Sequence, residues 1–168
     1  MNRLVKSFLI ILICFVIDST ISFFLPYNFA RQTIPIVPYI GLMFFTLLVK
    51  HLDSPENYFY AVICGTYYTV VYSHSLAIYI LIYFLIAFIR CFVIKIEKFS
   101  LFESSLFCIS TIFITEIIVY WLMWVTNMTS YPIIQFIIMR LLPTLGLNFV
   151  FSLLVYGIYN YIDTEVKL

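Results

Sequence analysis

The stretch LAIYILIYFLIAFIRCFVI, residues 76–94, is built almost entirely of aliphatic and aromatic side chains. A helix needs about 20 predominantly apolar residues to cross the hydrocarbon core of a bilayer, and this stretch comes close to that length. Its one charged residue, Arg90, stands near its end. The stretch therefore predicts a transmembrane helix.

The composition of the whole chain agrees with this prediction. Of the 168 residues, 64% are hydrophobic and 10% are charged, and the mean hydropathy is +1.10. A soluble domain is about half apolar and about a quarter charged. One small core cannot bury the excess, so we expect lipid to solvate much of the surface. The formal net charge of +1 gives no reason to expect a nucleic-acid partner.

Five more apolar segments flank this stretch, and turn or polar residues separate them. The predicted spans are residues 4–25, 37–52, 58–72, 76–94, 101–125 and 141–162. We expect one all-α, polytopic membrane domain over residues 1–168, with six transmembrane helices. The apolar run after Arg3 and Lys6 is interpreted as a retained first span, because no convincing signal-peptide cleavage site follows it.

The basic residues predict the orientation. Arg31 alone falls in the outer loops of this map, and Arg140 lies near the outer start of the last span. The other seven basic residues fall on the inner side: Arg3, Lys6, Lys50, Arg90, Lys95, Lys98 and Lys167. Because basic residues resist translocation, both termini are predicted to be cytoplasmic. The second and third spans are short and could form a re-entrant hairpin, but that would place Lys50 outside, so two true spans are preferred.

Small residues recur every four positions in the third span, at Ala61, Gly65, Thr69 and Ser73. This spacing places them along one flank of a helix. Small side chains let a neighbouring backbone approach closely, and such packing drives helix association in lipid. We expect this ridge to pack against another helix, in this chain or in a partner.

Three charged residues lie away from the inner ends of the predicted spans: Asp18 and Glu116 fall within the first and fifth spans, and Arg140 immediately precedes the last. Each costs roughly 2.5–3.5 kcal/mol at the centre of a bilayer unless it is paired, protonated or hydrated. All three lie on the outer side of the midplane in this map. Because arginine cannot neutralise itself, we expect Arg140 to point inward and pair with Glu116, with Asp18 as the second choice. A structural role is favoured, and a proton or substrate relay is the alternative.

The segment RLLPTLGLN, residues 140–148, places a proline beside this arginine. Pro143 removes a backbone donor and disfavours helical geometry at Leu142. Two interpretations stay open. Residues 131–142 form a separate interfacial helix, or they belong to one kinked helix with the last span. Asn148 can form a hydrogen bond across helices near the kink.

No enzyme motif is present: the sequence contains no phosphate-binding loop, no nucleophile elbow and no HExxH. His51 and His74 fall in loops on opposite sides of the predicted membrane. The cysteines at 14, 64, 91 and 108 lie within apolar runs, which is typical of small hydrophobic residues. We therefore predict no catalytic activity, no cofactor and no metal site.

With six spans, a glutamate in the fifth and R-x-x-P-x-x-x-x-N opening the last, the chain resembles the MreD family of rod shape-determining membrane proteins, in a Gram-positive form. Glu116, Arg140, Pro143 and Asn148 carry the resemblance, and the third and fourth spans from Gly65 to Tyr79 also look like the family's. The chain departs from the family where many members have an aspartate in place of Thr69 and a leucine–glycine pair in place of Leu76–Ala77.

The resemblance implies a non-enzymatic scaffold of the cell-wall elongation machinery in the bacterial cytoplasmic membrane. Its partners would be MreC and, through it, the glycan polymerase RodA and its transpeptidase. It also implies a fold similar to the substrate-binding subunits of energy-coupling-factor vitamin transporters. That similarity supplies the alternative function, a small-molecule-binding membrane subunit. The short outer loops favour the scaffold, because a vitamin binder needs a roomy pocket with converging polar groups.

Overall fold

The computed structural model describes residues 3–24, 36–49, 54–70, 78–92, 100–127 and 129–165. These residues are almost entirely helical and contain no strand. The helices are α1 (Arg3–Phe24), α2 (Ile40–Leu48), α3 (Ser54–Tyr68), α4 (Ile78–Phe92), α5 (Leu101–Val125) and α6, a continuous helix of three segments: Ile133–Phe136, a π-helical turn Ile137–Leu141, and Leu142–Glu165. The predicted all-α class is therefore confirmed.

Local sequence signals explain both ends of α5. The Ser100 side chain accepts a hydrogen bond from the Glu103 N–H, and the Glu103 carboxylate accepts one from the Ser100 N–H. This capping box satisfies backbone donors that the first turn would otherwise leave free. At the other end Asn127 has a φ of 54°. Asparagine tolerates this left-handed conformation better than most residues, which lets the helix stop there.

The short helix α2 lies at the centre of the bundle. All nine of its residues are buried, and it contacts α1, α4, α5 and α6. Its residues rise only about 14 Å, roughly half the thickness of a hydrocarbon core. The preceding residues 36–39 are non-helical, and Val37 and Tyr39 are buried. The second predicted span, 37–52, thus contains irregular backbone followed by a short helix.

Helices α3 and α4 form the most extensive pair of the bundle. Gly65 of α3 explains how closely they approach, because a Cβ there would lie 2.8 Å from the backbone nitrogen of Ile80. Ala61, one turn earlier, is fully buried, and Thr69 is half-buried. At Gly65 the predicted ridge therefore packs against a helix of this chain. Ser73 lies outside the described residues.

The exterior of the bundle is apolar on every long helix. Large hydrophobic side chains such as Val16, Leu81, Ile114 and Ile134 are exposed. Two helical segments, Leu101–Val125 and Ile133–Tyr161, are long and apolar enough to cross a membrane, and Phe8–Phe24 and Ile78–Arg90 are apolar but shorter. Such extensive exposed apolar surface is unusual for a soluble monomer and is compatible with a membrane protein.

Candidate functional site

Buried polar side chains from four helices converge where α2 begins. Asp18 comes from α1, Glu116 from α5, Asn148 from α6 and Tyr79 from α4, and all four are buried. They surround Tyr39, the residue just before α2. We call these residues, together with Arg140, the α2 cluster. It brings together four of the five sequence-predicted site residues, and the fifth, Pro143, lies three positions after Arg140.

Arg140 and Glu116 form the ion pair that the sequence predicted. The Arg140 Nε lies 2.6 Å from Glu116 Oε2, and Nη2 lies 3.2 Å from Oε1. The glutamate side chain is fully buried, and the arginine side chain is 16% exposed. The planar guanidinium fork matches both carboxylate oxygens, a geometry that lysine cannot reproduce. The pair joins α5 to α6.

Tyr39 connects the ion pair to the start of α2 and, through Tyr79, to α4. Its hydroxyl donates to Glu116 Oε1 at 2.7 Å and lies 3.1 Å from the Tyr79 hydroxyl. Since the single Tyr39 proton goes to the carboxylate, the Tyr79 hydroxyl donates to the Tyr39 oxygen. The Tyr39 ring also stacks on Tyr68, with centroids 5.7 Å apart. The carboxylate of Glu116 is thus bonded to three donor atoms from two residues.

Asp18 does not pair with Arg140 and instead accepts hydrogen bonds from the backbone of α2. Its Oδ1 accepts from the Ile40 N–H and its Oδ2 from the Gly41 N–H, each at 2.9 Å. The Tyr68 hydroxyl also donates to Oδ2. A carboxylate is well suited to this position, because the first N–H groups of a helix have no partner within it and carry partial positive charge. The second-choice pairing of Arg140 with Asp18 does not occur.

Asn148 holds the irregular backbone just before α2. Its Oδ1 accepts from the Tyr39 N–H at 2.8 Å, and its Nδ2 donates to the Val37 carbonyl at 2.9 Å and to the Thr144 carbonyl at 2.8 Å. Irregular backbone at membrane depth is tolerated only where its polar groups are satisfied internally. Asp18 and Asn148 together supply those bonds for residues 37–41, and this is the clearest physical reason for their presence.

Pro143 lies inside a continuous helix, so residues 133–142 belong to one helix with the last predicted span. The helix runs from Ile133 past the proline to Glu165, and the turn before the proline is π-helical. A separate interfacial helix is therefore not observed. Tyr131 and Pro132 precede the helix, and the Tyr131 carbonyl accepts from the Tyr120 hydroxyl of α5 at 2.8 Å.

The polar side chains of the α2 cluster form hydrogen bonds with one another and with the nearby backbone. Both oxygens of Asp18 and Glu116, and both polar atoms of Asn148, bond to other groups of the protein. Among the described residues, no group of three or more His, Cys, Asp and Glu could hold a metal ion. The described cysteine side chains, Cys14, Cys64 and Cys108, are buried.

No protein-family model, curated protein or solved structure matches this chain. The resemblance to the MreD family therefore stays a prediction that rests on the residues themselves. His51 and His74, which were predicted to lie in loops, are outside the described residues.

Sequence reasoning missed the tyrosines that complete the α2 cluster. Tyr39 and Tyr79 are fully buried, as is Tyr68, and their hydroxyls must find partners inside the protein. A signal was available, because buried tyrosines in a chain with so few charged residues need acceptors, and Asp18 and Glu116 are among the few it offers. Their spacing, however, does not show which tyrosine meets which carboxylate.

Proposed function

We propose that this chain is a multi-pass protein of the bacterial cytoplasmic membrane that serves as a non-enzymatic scaffold of the MreD type. In this role it binds MreC and, through it, supports the peptidoglycan-synthesising complex of RodA and its transpeptidase. Its six helices cross or line the membrane with both termini in the cytoplasm, in a fold similar to the substrate-binding subunits of vitamin transporters.

The apolar exterior and the distribution of basic residues support placement in a membrane. The two long apolar helices meet the length that a bilayer requires. Trp121 and Trp124 are exposed near the end of α5, opposite the end near the predicted inner residues Lys95 and Lys98. Tryptophan prefers the interface between lipid and water, so these two side chains fit the outer interface.

One observation supports the scaffold proposal most directly: the carboxylates and the amide of the α2 cluster already have hydrogen-bond partners within the protein. A small-molecule-binding subunit needs polar groups that converge on a cavity and are free to bind a ligand. Here the carboxylates and the amide are bonded to other helices and to the start of α2. Such bonding supports a rigid outer end whose surface is offered to another protein.

Co-purification with a defined partner tests the proposal. MreC from the same source is co-expressed with this chain, which carries an affinity tag, and the complex is extracted in mild detergent. We expect MreC in a fixed ratio to the wild-type chain and a severalfold lower recovery with Arg140→Gln. The matched control is Ser110→Ala on α5, because the exposed Ser110 hydroxyl bonds to the Leu106 carbonyl of its own helix.

The same preparation distinguishes the alternative. Native mass spectrometry of the purified chain reports any bound small molecule. A stoichiometric small ligand together with no recovery of MreC would contradict the scaffold and favour the transporter-type subunit. Recovery of MreC that is equal for the wild type, Arg140→Gln and Ser110→Ala would show that the α2 cluster does not shape the partner surface.

A further inference from the structure

The buried side chains of α6 reveal a change of register near its N-terminus. From Leu141 onward they follow one another by three or four residues, as one face of an α-helix requires. They are Leu141, Thr144, Asn148, Ser152, Val155 and Tyr159. Phe136 is also buried but stands five residues before Leu141. Five α-helical residues turn by about 500°, which would direct Phe136 about 140° away from Leu141. The two side chains can share a face only if the helix absorbs one surplus residue between them.

The π-helical turn absorbs that residue. It covers Ile137–Leu141, and the Leu142 N–H bonds to the Ile137 carbonyl, five residues back. A π turn holds about one more residue than an α turn. The buried residue before the turn, Phe136, and the buried residues after it can therefore lie on the same face of the helix. Ile137, Ile138 and Met139 within the turn are exposed, so the surplus residue lies on the outside of the bundle.

Pro143 provides the physical cause of this turn. Proline has no N–H, and in an α-helix its ring collides with the carbonyl four residues earlier, here that of Met139. A kink or a local change in the hydrogen-bond pattern usually relieves this steric clash. The widened turn contains Met139 and ends two residues before Pro143, so the carbonyl that would collide with the ring lies where the helix departs from α geometry.

The register decides which α6 side chains meet α5. Phe136 stacks on Tyr120 with centroids 4.2 Å apart, and Arg140 pairs with Glu116. Tyr120 and Glu116 are four residues apart and so lie on one flank of α5. We propose that Pro143 is a positioning residue, which enforces the π turn and thereby holds Phe136 and Arg140 against α5. Without it, the turn returns to α geometry and the preceding residues rotate by about 100°. This proposal is independent of the scaffold function.

Distances between paired spin labels test the rotation in the purified protein in lipid nanodiscs. Labels are placed at the exposed positions Ile114 of α5 and Ile134 of α6, after the four native cysteines are replaced by alanine. With Pro143→Ala, the distance between the labels should shift by on the order of 10 Å, the width of a helix. The matched control pair is Ile114 and the exposed Val150, which lies beyond the turn and should keep its distance.

Deletion of the exposed Ile138 should compensate for the loss of Pro143. It removes the surplus residue, so Pro143→Ala combined with this deletion should be α-helical throughout and restore the native distance between positions 114 and 134. An unchanged distance with Pro143→Ala alone would overturn the proposal, since the ion pair and the aromatic stack would then hold the turn. If Pro143→Ala does not fold, folding of the rescued variant supports the proposal and its failure to fold contradicts it.

Discussion

At the scale of single residues, the charged and amide side chains of the α2 cluster lie where the backbone or another charge bonds to them. Glu116 and Arg140 neutralise each other, and Asp18 and Asn148 bond the backbone at the start of α2. Each of these contacts links a helix to another helix or to the backbone that leads into α2. The cost of burying polar groups is therefore offset by cross-links that determine how the helices are arranged.

The ion pair yields the first prediction. Glu116→Gln and Arg140→Gln should each lower the free energy of unfolding in detergent micelles by about 3 kcal/mol, because each strands one largely buried charge. The double variant should lose clearly less than the sum of the two single losses. Reversible unfolding by increasing SDS, followed by circular dichroism, measures all four proteins. Strictly additive losses would show that the two side chains do not interact.

The second prediction concerns the bond from α1 to α2. Asp18→Asn should lower the free energy of unfolding by about 2 kcal/mol, because one oxygen becomes an NH₂ group that faces an N–H or O–H donor. The control is Thr20→Ala, because Thr20 is two residues away and exposed, and its hydroxyl bonds to the Val16 carbonyl of its own helix. Equal melting temperatures for the two variants would contradict the role of Asp18 at the start of α2.

At the scale of elements, helices α3 and α4 approach each other closely. Gly65 permits this approach, since a side chain there would meet the backbone of Ile80. In lipid, helices gain little from the hydrophobic effect when they associate, so close van der Waals packing of this kind matters more than in water.

The third prediction tests that approach. Gly65→Leu should strongly reduce the yield of folded protein, and Gly65→Ala should lower its melting temperature, because α3 and α4 must separate to admit a Cβ. Gly146→Ala is the control: a Cβ at Gly146 meets no atom within 4 Å, and alanine favours a helix over glycine by about 1 kcal/mol. Thermal unfolding measures the melting temperatures. An equal decrease for Gly65→Ala and Gly146→Ala would refute the packing argument.

At the scale of the whole molecule, the fourth prediction concerns topology. Reporter fusions after Leu168 and after Thr126 should report opposite sides of the membrane, with the C-terminus cytoplasmic, because seven of the nine basic residues fall on the predicted inner side. Thr126 follows α5 directly, so that fusion reports the side on which α5 ends. Reporters on the same side would exclude the six-span arrangement.

The helical class, the apolar exterior and the ion pair could be predicted from the amino-acid sequence. These follow from properties of single residues and their neighbours: apolar runs of helical length predict helices, and an arginine beside lipid requires a partner. Only two carboxylates stood at a suitable depth, so Glu116 could be chosen for Arg140. Gly65 was also identified from local spacing, although its neighbour in α4 was not.

The roles of Asp18, Asn148 and Tyr39 could be recognised only in the folded protein. Tyr39 and Asn148 are 109 residues apart, and no local pattern specifies a bond between a side chain and a distant backbone group. The short length of α2 was also hidden, because buried irregular backbone and buried helix are equally apolar in sequence. The π turn could not be predicted for another reason: Pro143 indicates that a helix must adjust, but a break, a kink and a π turn all relieve the same clash, and the local sequence does not distinguish them.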